Sequence, residues 1–401
     1  MKKFTVKDLF CNKWFAFLFT IIIFLSSCYI DKIPKNYIID YLSIGLSFGM
    51  IILYILNFKF SKSSISLFAF LGFIFIATLI SDTASLDVLL KSFVKVYAVA
   101  FFIEWTIKYN PKNIIKGVYY ALYIVVFINF ITIVAYPNGM YAGSYKFNWF
   151  LGYDNTHIFW YIPAITLCLI NLKIKNKKID LESLILFLVI SYSVYYCFSA
   201  NSVVAYTLFL IYLFTMKYTK KIEWMNSKTY LAIFITLFIL FVILRVQNIF
   251  SWLIVEILHK DLSFTGRTIV WDNTIKQIKN NFIFGYGMEK PLVISNRLGN
   301  AHYVHAHNTI LDVLYKGGVA AIIPFSLYIY MAILELYKVR HNEIARILSF
   351  AIFSLLIMML FEARETVFGF YILFTIAYNV KYFGNEYERK ELKKTWMKAN
   401  I

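Results

Sequence analysis

The side chains best suited to chemistry in this sequence lie in one polar stretch, at about residues 247–317. His305 and His307 belong to it together with His302, and they make up half of the six histidines of the chain. A neutral imidazole accepts a proton near pH 7, so His307 is a candidate general base. Arg267 lies in the same stretch, and its guanidinium is a candidate ligand for phosphate. The stretch therefore combines a candidate base with a candidate anion ligand.

The same residues have simpler explanations. A histidine cluster also suits zinc, but these three histidines match no HExxH pattern, and no suitably spaced carboxylate accompanies them. We therefore expect no metal and no other cofactor. For Arg267 the alternative is an interfacial arginine, whose charged end reaches water while its stem stays among apolar groups.

One amphipathic helix is predicted to carry Arg267. Over about residues 265–280, Trp271, Ile275 and Ile278, followed by Phe282, recur at helical spacing and form an apolar stripe. We expect this stripe to lie on the membrane surface, with Arg267 at the helix start facing the lipid headgroups. The N–H groups at a helix start also favour an anion, so helix and guanidinium together predict a phosphate site.

A second helix is predicted directly after His307. Asn308 is a favourable N-cap, and the helical pattern runs to Gly317-Gly318, a typical stop. The chain then enters a membrane span, so His307 is held between the loop and a capped helix. His305 and Asn308 flank the imidazole and are further candidate substrate ligands.

The elements that hold this stretch are predicted to be membrane helices. The 401 residues are 60% hydrophobic and only 15% charged, with a mean hydropathy of +0.67. Ordinary globular domains are about half apolar and about a quarter charged, so few soluble folds could bury this composition. Forty Phe and thirty-one Tyr residues exclude a disordered or low-complexity chain.

About twelve apolar runs predict an all-α polytopic membrane protein. Lys and Arg residues concentrate in alternate loops, which places both termini in the cytoplasm and residues 247–317 outside. The net charge of +18 is therefore a topology signal rather than a sign of nucleic-acid binding. The predicted spans are 13–30, 37–56, 63–80, 86–106, 114–135, 158–171, 182–198, 201–216, 230–246, 318–337, 344–361 and 366–381.

This pattern divides the chain into four parts. We expect an N-terminal transmembrane bundle of about nine helices over 1–246 and an extracytoplasmic catalytic loop over 247–317. C-terminal membrane helices follow over 318–381, and a basic cytoplasmic tail over 382–401. The first span also resembles a secretory signal that ends in the lipoprotein-type box Leu25-Ser26-Ser27-Cys28. An uncleaved helix is the simpler interpretation, because its removal would upset the parity of the spans.

The fourth span carries an independent signal. Asp87, Lys91 and Lys95 are four residues apart and therefore share one helix face. Lys95 lies roughly 14 Å below the outer end of the span, at 1.5 Å per residue. An isolated lysine at that depth costs about 2.5 to 3.5 kcal/mol, so it should face water, a carboxylate or an anionic ligand. Lys91 and Lys95 are therefore either substrate ligands or parts of a local ion pair with a snorkelling lysine.

Five short motifs, taken in order, resemble the signature of a known family. They are Gly266-Arg267, Trp271, Phe284-Gly285-Tyr286-Gly287, His307-Asn308-Thr309-Ile310-Leu311 and Gly317-Gly318. This set is similar to the core of the O-antigen ligase and Wzy-type polysaccharide polymerase superfamily, within about residues 265–320. The layout of about twelve spans with one long outer loop late in the chain resembles the whole family.

The resemblance implies a glycosyltransferase of the inner (plasma) membrane. Members transfer a glycan from an undecaprenyl diphosphate carrier to a sugar hydroxyl on the outer leaflet, without a metal or a nucleotide-sugar donor. By this resemblance His307 takes the proton of the attacking hydroxyl, and Arg267 neutralises the departing diphosphate, with inversion at the anomeric carbon. A chain-length regulator and a flippase of the same pathway are the expected protein partners.

The chain departs from the family pattern at one point. Relatives commonly have an Arg after a Ser in the outer turn between the seventh and eighth spans, where this chain reads Ser199-Ala200-Asn201-Ser202. Arg245, or Arg364 beside Glu365, is expected to replace that phosphate ligand unless it is an interfacial anchor. Asp154 and Asn155 occupy another outer loop and are candidates either for binding sugar hydroxyls or for a simple Asx turn.

Three functions are compatible with these observations. We prefer a polymerase that joins lipid-linked repeat units into O-antigen or capsular polysaccharide. A ligase-type transferase shares the same residues and differs only in its acceptor. A flippase for lipid-linked oligosaccharides would also need many helices and buried cations, but no internal repeat is visible, and transport does not require a histidine-bearing outer loop.

Overall fold

The long apolar runs of the sequence form a bundle of helices. The structure is a computed structural model and describes residues 6–28, 37–57, 60–141, 148–219, 222–246, 252, 256, 266–300, 303–363 and 365–383. In this part of the chain the named strands are a single short hairpin, in which Asn148–Trp149 (β1) pairs antiparallel with Gly152–Tyr153 (β2). The predicted all-α membrane class is confirmed at this level.

The described residues contain fifteen α-helices. Helix α10 continues into a π-helical turn at Ile239–Ile243, and a 3-10 turn at Val380–Tyr382 follows α15. The helices are α1 (Val6–Phe10), α2 (Lys13–Leu25), α3 (Tyr37–Asn57), α4 (Lys62–Ile80), α5 (Leu86–Ile107), α6 (Pro111–Ala135), α7 (Asp154–Ile174), α8 (Leu181–Cys197), α9 (Ala200–Thr219), α10 (Ser227–Phe238), α11 (Arg267–Asn280), α12 (Pro291–Leu298), α13 (Thr309–Lys338), α14 (Glu343–Met359) and α15 (Phe368–Tyr378).

Each predicted span coincides with one apolar helix, from α2 to α10 and from α13 to α15. Among the described helices, α3, α4, α6, α7, α9 and α13 are long and apolar enough to cross a membrane. Helices α2, α8, α10 and α15 are also apolar but shorter. The chain is therefore a multi-pass helical membrane protein.

The centre of the bundle is formed by helices that are apolar on all sides. Helix α15 is buried at every residue from Phe368 to Ala377, and α7 is buried over most of its length. Helices α5, α7, α13 and α14 all pack against α15. A helix without a polar face belongs in an interior, because none of its surface needs water.

In the described residues of the late polar stretch there are three α-helices rather than the predicted two. Helix α11 begins at Arg267, and α13 begins after the N-cap Asn308, both in agreement with the sequence. Helix α12 was not predicted, although Pro291 at its first position and Gly299 directly after its end are typical helix boundaries. Its eight residues are too few to show a clear apolar period.

Most of the apolar stripe of α11 packs on protein rather than facing outwards, whereas Phe282, beyond the end of the helix, is 57% exposed. Trp271 is fully buried and Ile278 is 6% exposed, in a cluster with Leu311 and Tyr315 of α13. The first turns of α13 present an apolar surface of their own. Pressing the two surfaces together removes both from water, and this favours the packed arrangement.

At a kink in α13, the segment of residues 283–287 packs closely against the helix. Gly318 has φ +60° and ψ −161°, which interrupts the helix where the motif Gly317-Gly318 predicts a stop. The backbone N–H of Tyr286 donates to the carbonyl of Tyr315 at 2.8 Å. A Cβ atom on Gly318 would lie only 2.2 Å from the carbonyl oxygen of Ile283. The close approach of the two chain segments therefore requires glycine at this position.

Candidate functional site

His307 lies on a short loop. Hydrogen bonds from two helices hold this loop in place. The φ of His307, +48°, is left-handed, which is uncommon for a residue with a Cβ atom. The His307 N–H donates to Nδ1 of His305 at 3.1 Å, and its carbonyl accepts the indole N–H of Trp271 at 3.4 Å. The N–H of Ala306 donates to Oδ1 of Asp312 at 2.9 Å. The loop is therefore fixed by side chains of both α11 and α13.

The start of α13 holds the loop from the other side. Asn308 caps the helix, because its Oδ1 accepts the N–H of Leu311 at 3.0 Å, and its Nδ2 donates to the Leu360 carbonyl at 2.9 Å. The hydroxyl of Thr309 donates to the carbonyl of Glu362 at 2.7 Å. These bonds confirm the predicted N-cap and tie α13 to the α14–α15 turn, residues 360–367.

Arg267 is the first residue of α11, as predicted, but its side chain turns towards protein. Its Nη2 lies 2.9 Å from Oε1 of Glu362, and the two side chains are only 14% and 2% exposed. The prediction of a guanidinium facing the lipid headgroups is therefore wrong. Gly266, with φ +81°, turns the chain into the helix immediately before this residue.

Glu362 is the point at which the candidate residues meet. Besides the bond from Arg267, its Oε1 accepts a hydrogen bond of 2.8 Å from Nδ2 of Asn155. Its Oε2 lies 3.9 Å from Nδ1 of His307, within electrostatic contact but too far for a hydrogen bond. A negative charge in that position stabilises an imidazolium. The structure thus brings Arg267, His307 and Asn155 together around one buried carboxylate.

Sequence reasoning missed Glu362. The residue follows directly on a predicted span, and the more conspicuous Arg364 and Glu365 stand in the same turn. An ionisable side chain at the edge of an apolar span is itself a functional signal, so the sequence could have marked Glu362 as a candidate but not its contacts.

A metal ion is the other ligand that this cluster could hold. One ligand atom from each of His305, His307 and Glu362 lies within 4.8 Å of the others. Arg267 opposes this use, because its guanidinium already donates to Glu362 and would repel a second cation. Nδ1 of His305 also accepts the His307 N–H. The arrangement fits an anionic group beside the arginine better than a cation.

A second arginine contacts the first turns of α11. Arg245 donates to the Thr268 carbonyl at 3.3 Å and pairs with Asp272. Its guanidinium carbon lies 5.0 Å from the centre of the Trp271 ring, a cation–π contact. The guanidinium of Arg245 therefore lies against the first turns of α11, the helix that begins with Arg267. The other candidate for a second cation, Arg364, lies outside the described residues.

The turn between α8 and α9, which departs from the family pattern, reaches the same cluster. The hydroxyl of Ser199 donates to Oδ1 of Asn155, whose Nδ2 holds Glu362. Asn155 therefore uses both polar atoms of its side chain within the protein. Asp154, in the first turn of α7, accepts the N–H of Asn155 at 2.6 Å. Ala200, which stands where relatives have an arginine after the serine, is 9% exposed.

Glu365 belongs to a second buried network. Nζ of Lys316 donates to both Glu365 and Asp312, and all three side chains are at most 10% exposed. Burial raises the pKa of Glu365 above its ordinary value, although the charge of Lys316 opposes the shift. Asp312 also accepts the N–H of Ala306, so this network reaches the loop that carries His307.

Both lysines of α5 pair with carboxylates, Lys95 with one on another helix and Lys91 with one on α5 itself. Nζ of Lys95 lies 3.1 Å from Oδ1 of Asp40 and donates to the Ser26 carbonyl at 3.3 Å. Lys91 pairs with Asp87 at 2.9 Å, and both side chains are largely exposed. Pairing with a carboxylate thus accounts for both lysines.

The fold is that of a helical multi-pass membrane protein, and a charged cluster gathers at its late polar loop. These two features together define the class of the chain. Residues 185–326 match the family model described as O-Antigen ligase. The match includes Arg245, Arg267 and His307, and it confirms the resemblance of this segment to the O-antigen ligase and Wzy-type superfamily. It supports a glycosyltransferase-like enzyme of envelope polysaccharide biosynthesis. A search of curated proteins found no significant match.

Proposed function

We propose that this protein is a polymerase that joins undecaprenyl-diphosphate-linked oligosaccharide repeat units into O-antigen or capsular polysaccharide. The observation that carries the proposal is the meeting of Arg267 and His307 at Glu362. The family match supports the broad class of transferase, and the polymeric product is our own assignment.

The assigned reaction is an inverting glycosyl transfer. The oxygen of an acceptor hydroxyl attacks the anomeric carbon while the bond from that carbon to the diphosphate oxygen breaks on the opposite face. The hydroxyl proton passes to Nε2 of His307, because Nδ1 is the ring atom nearest to Glu362. The carboxylate of Glu362 then stabilises the imidazolium that forms.

The leaving diphosphate gains negative charge, and we propose that Arg267 neutralises it. The ion pair with Glu362 holds the guanidinium in one orientation, so its planar fork is preorganised for phosphate oxygens. Arg245, which follows α10 and contacts Thr268 in the first turn of α11, is the proposed second phosphate ligand. Guanidinium groups supply the positive charge in this scheme, so the reaction is proposed to need no metal.

We place the site on the outer side of the plasma membrane, in a chain with twelve spans and both termini in the cytoplasm. The alternation of basic loops and the coincidence of each predicted span with an apolar helix support this topology. Single cysteines introduced into a cysteine-free variant test it. Lys276→Cys on α11 should react with an impermeant thiol reagent in intact cells, whereas Lys177→Cys on the α7–α8 loop should not.

The central experiment uses purified protein and one synthetic lipid-diphosphate repeat unit, without added metal. A ladder of products identifies a polymerase, and transfer only to a different acceptor identifies a ligase. His307→Ala and Arg267→Ala should each abolish the products, whereas Lys276→Ala on the exposed face of α11 should not. If His307→Ala cells still form polymer but no longer show single repeat units outside, the protein is a flippase instead.

A further inference from the structure

A polar cavity lies at the end of the bundle opposite His307. The loop of His307 precedes α13 and Glu362 follows α14, whereas this cavity lies where α13 ends and α14 begins. Helix α14 alone is about 25 Å long at 1.5 Å per residue, so the two sites are separate. The cavity has a volume of about 290 Å³ and is lined by Ile222, Glu223, Met225, Asn226, Arg340, His341 and Arg346.

Two arginines form the cationic wall of this cavity. Arg346 is only 6% exposed, and its Nη2 donates to the carbonyl of Met216 at 3.1 Å. Arg340 stacks on Tyr337, with its guanidinium carbon 4.7 Å from the ring centre. Glu223 is the one carboxylate among the residues that line the cavity, and it is exposed. The two guanidinium charges therefore exceed the negative charge of the lining.

Neighbouring carboxylates are engaged with other cations. Glu343 pairs with Lys173 at 2.6 Å, and Glu335 pairs with Lys338 at 2.9 Å. The exposed imidazole of His341 adds a further hydrogen-bonding group at the rim. A cavity with excess guanidinium charge and polar neighbours suits the oxygen atoms of a phosphate.

The surroundings of the cavity indicate that its ligand is a lipid. Trp224, within the segment between α9 and α10 that lines the cavity, is 61% exposed. Exposed tryptophans of membrane proteins concentrate at the level of the lipid headgroups. Basic pockets between membrane helices at that level bind the headgroups of anionic lipids. We propose that this cavity binds the phosphate of an anionic phospholipid headgroup, independently of the transfer reaction at His307.

The test titrates the full-length protein in detergent with short-chain phosphatidylglycerol and, separately, with inorganic phosphate. Phosphatidylglycerol should bind saturably and raise the thermal midpoint. Arg340→Gln removes one charge-assisted contact, so its affinity should fall about tenfold. Arg340→Lys keeps the charge and should lose less. Lys177→Gln removes an exposed lysine at the same end of the bundle and should bind as the wild type does.

Two results would overturn the proposal. Equal stabilisation by inorganic phosphate and by phosphatidylglycerol would assign the cavity to a free anion. Equal affinities of Arg340→Gln and Lys177→Gln would mean that binding reflects only the general charge of this surface. His341→Ala, which removes a hydrogen-bonding group from the exposed rim, provides a second variant if Arg340→Gln folds poorly, and it should also weaken phosphatidylglycerol binding.

The same comparison in a bilayer tests whether the lipid itself occupies the cavity. In phosphatidylcholine nanodiscs, partial replacement by phosphatidylglycerol should stabilise the wild type and Lys177→Gln. Arg340→Gln should lose this increase in thermal midpoint. An equal increase in all three proteins would contradict the assignment.

Discussion

Replacing Glu362 by glutamine removes a charge from the candidate site while keeping its shape. The amide oxygen still accepts hydrogen bonds from Arg267 and Asn155, whose donors lie 2.9 and 2.8 Å from Oε1. The amide nitrogen takes the place of Oε2, the atom 3.9 Å from Nδ1 of His307. We therefore expect Glu362→Gln to fold, and to lose the negative charge that stabilises an imidazolium.

The size of the effect follows from the distance and the burial of the two groups. Opposite unit charges 4 Å apart attract by about 1 kcal/mol in water and by about 4 kcal/mol near a protein surface. Glu362 is 2% exposed and His307 is 21% exposed, so we expect about 2 to 3 kcal/mol. This loss lowers kcat by about 30- to 150-fold. The KM of the lipid donor should not rise, because Arg267 keeps its charge and loses a competing anion.

The assay is single-turnover transfer from a lipid-diphosphate repeat, measured across a range of pH. The acidic limb of the profile should move to lower pH in Glu362→Gln, because the protonated imidazole loses a neighbouring negative charge. Glu343→Gln, at the opposite end of α14, should retain the rate and the profile of the wild type. A slower variant with an unmoved acidic limb would show that Glu362 only supports the fold, and an unchanged kcat would refute the electrostatic coupling.

The strain at His307, the metal-binding alternative and the buried lysine network give three further tests. His307→Gly should abolish transfer yet unfold at a temperature equal to or above that of His307→Ala, because glycine adopts φ +48° without strain. Removal of metals with EDTA should leave transfer unchanged; a loss that zinc restores would instead assign His305, His307 and Glu362 as metal ligands. Lys316→Met should cost about 3 to 5 kcal/mol of stability, because it leaves two buried carboxylates uncompensated. The protonated form of Glu365 stabilises the fold at low pH, and this stabilisation is lost as the pH rises through the raised pKa of Glu365. In Glu365→Gln, thermal unfolding scans should therefore show a smaller decline of stability with rising pH.

The helices could be predicted because consecutive apolar residues specify a membrane span. Apolar runs located the membrane helices, and the N-cap Asn308 located the start of α13. Consecutive residues do not specify what a helix face contacts. An apolar stripe such as that of Trp271 and Ile278 is compatible with lipid or with protein, and only the fold shows that it meets α13.

The candidate site could be predicted only where one residue carries the signal by itself. Arg267 and His307 stand out by type and by neighbouring motifs. Glu362 acquires its role from contacts with residues far away in sequence, 95 positions from Arg267 and 207 from Asn155. Pairings at such separations depend on how helices pack, and no local pattern in a single sequence specifies them.

The α14–α15 turn connects both buried charge networks to the loop of the proposed base. Glu362 of this turn faces His307, while Glu365 binds Lys316, which in turn binds Asp312. Asp312 accepts a backbone N–H of the His307 loop, so the imidazole and its carboxylate are positioned through the same turn. Buried charges resist displacement, because water does not replace the interaction that movement would lose. Proton transfer depends on placement within about 1 Å, so substitutions at Lys316 should alter the transfer rate without any contact between this lysine and the substrate.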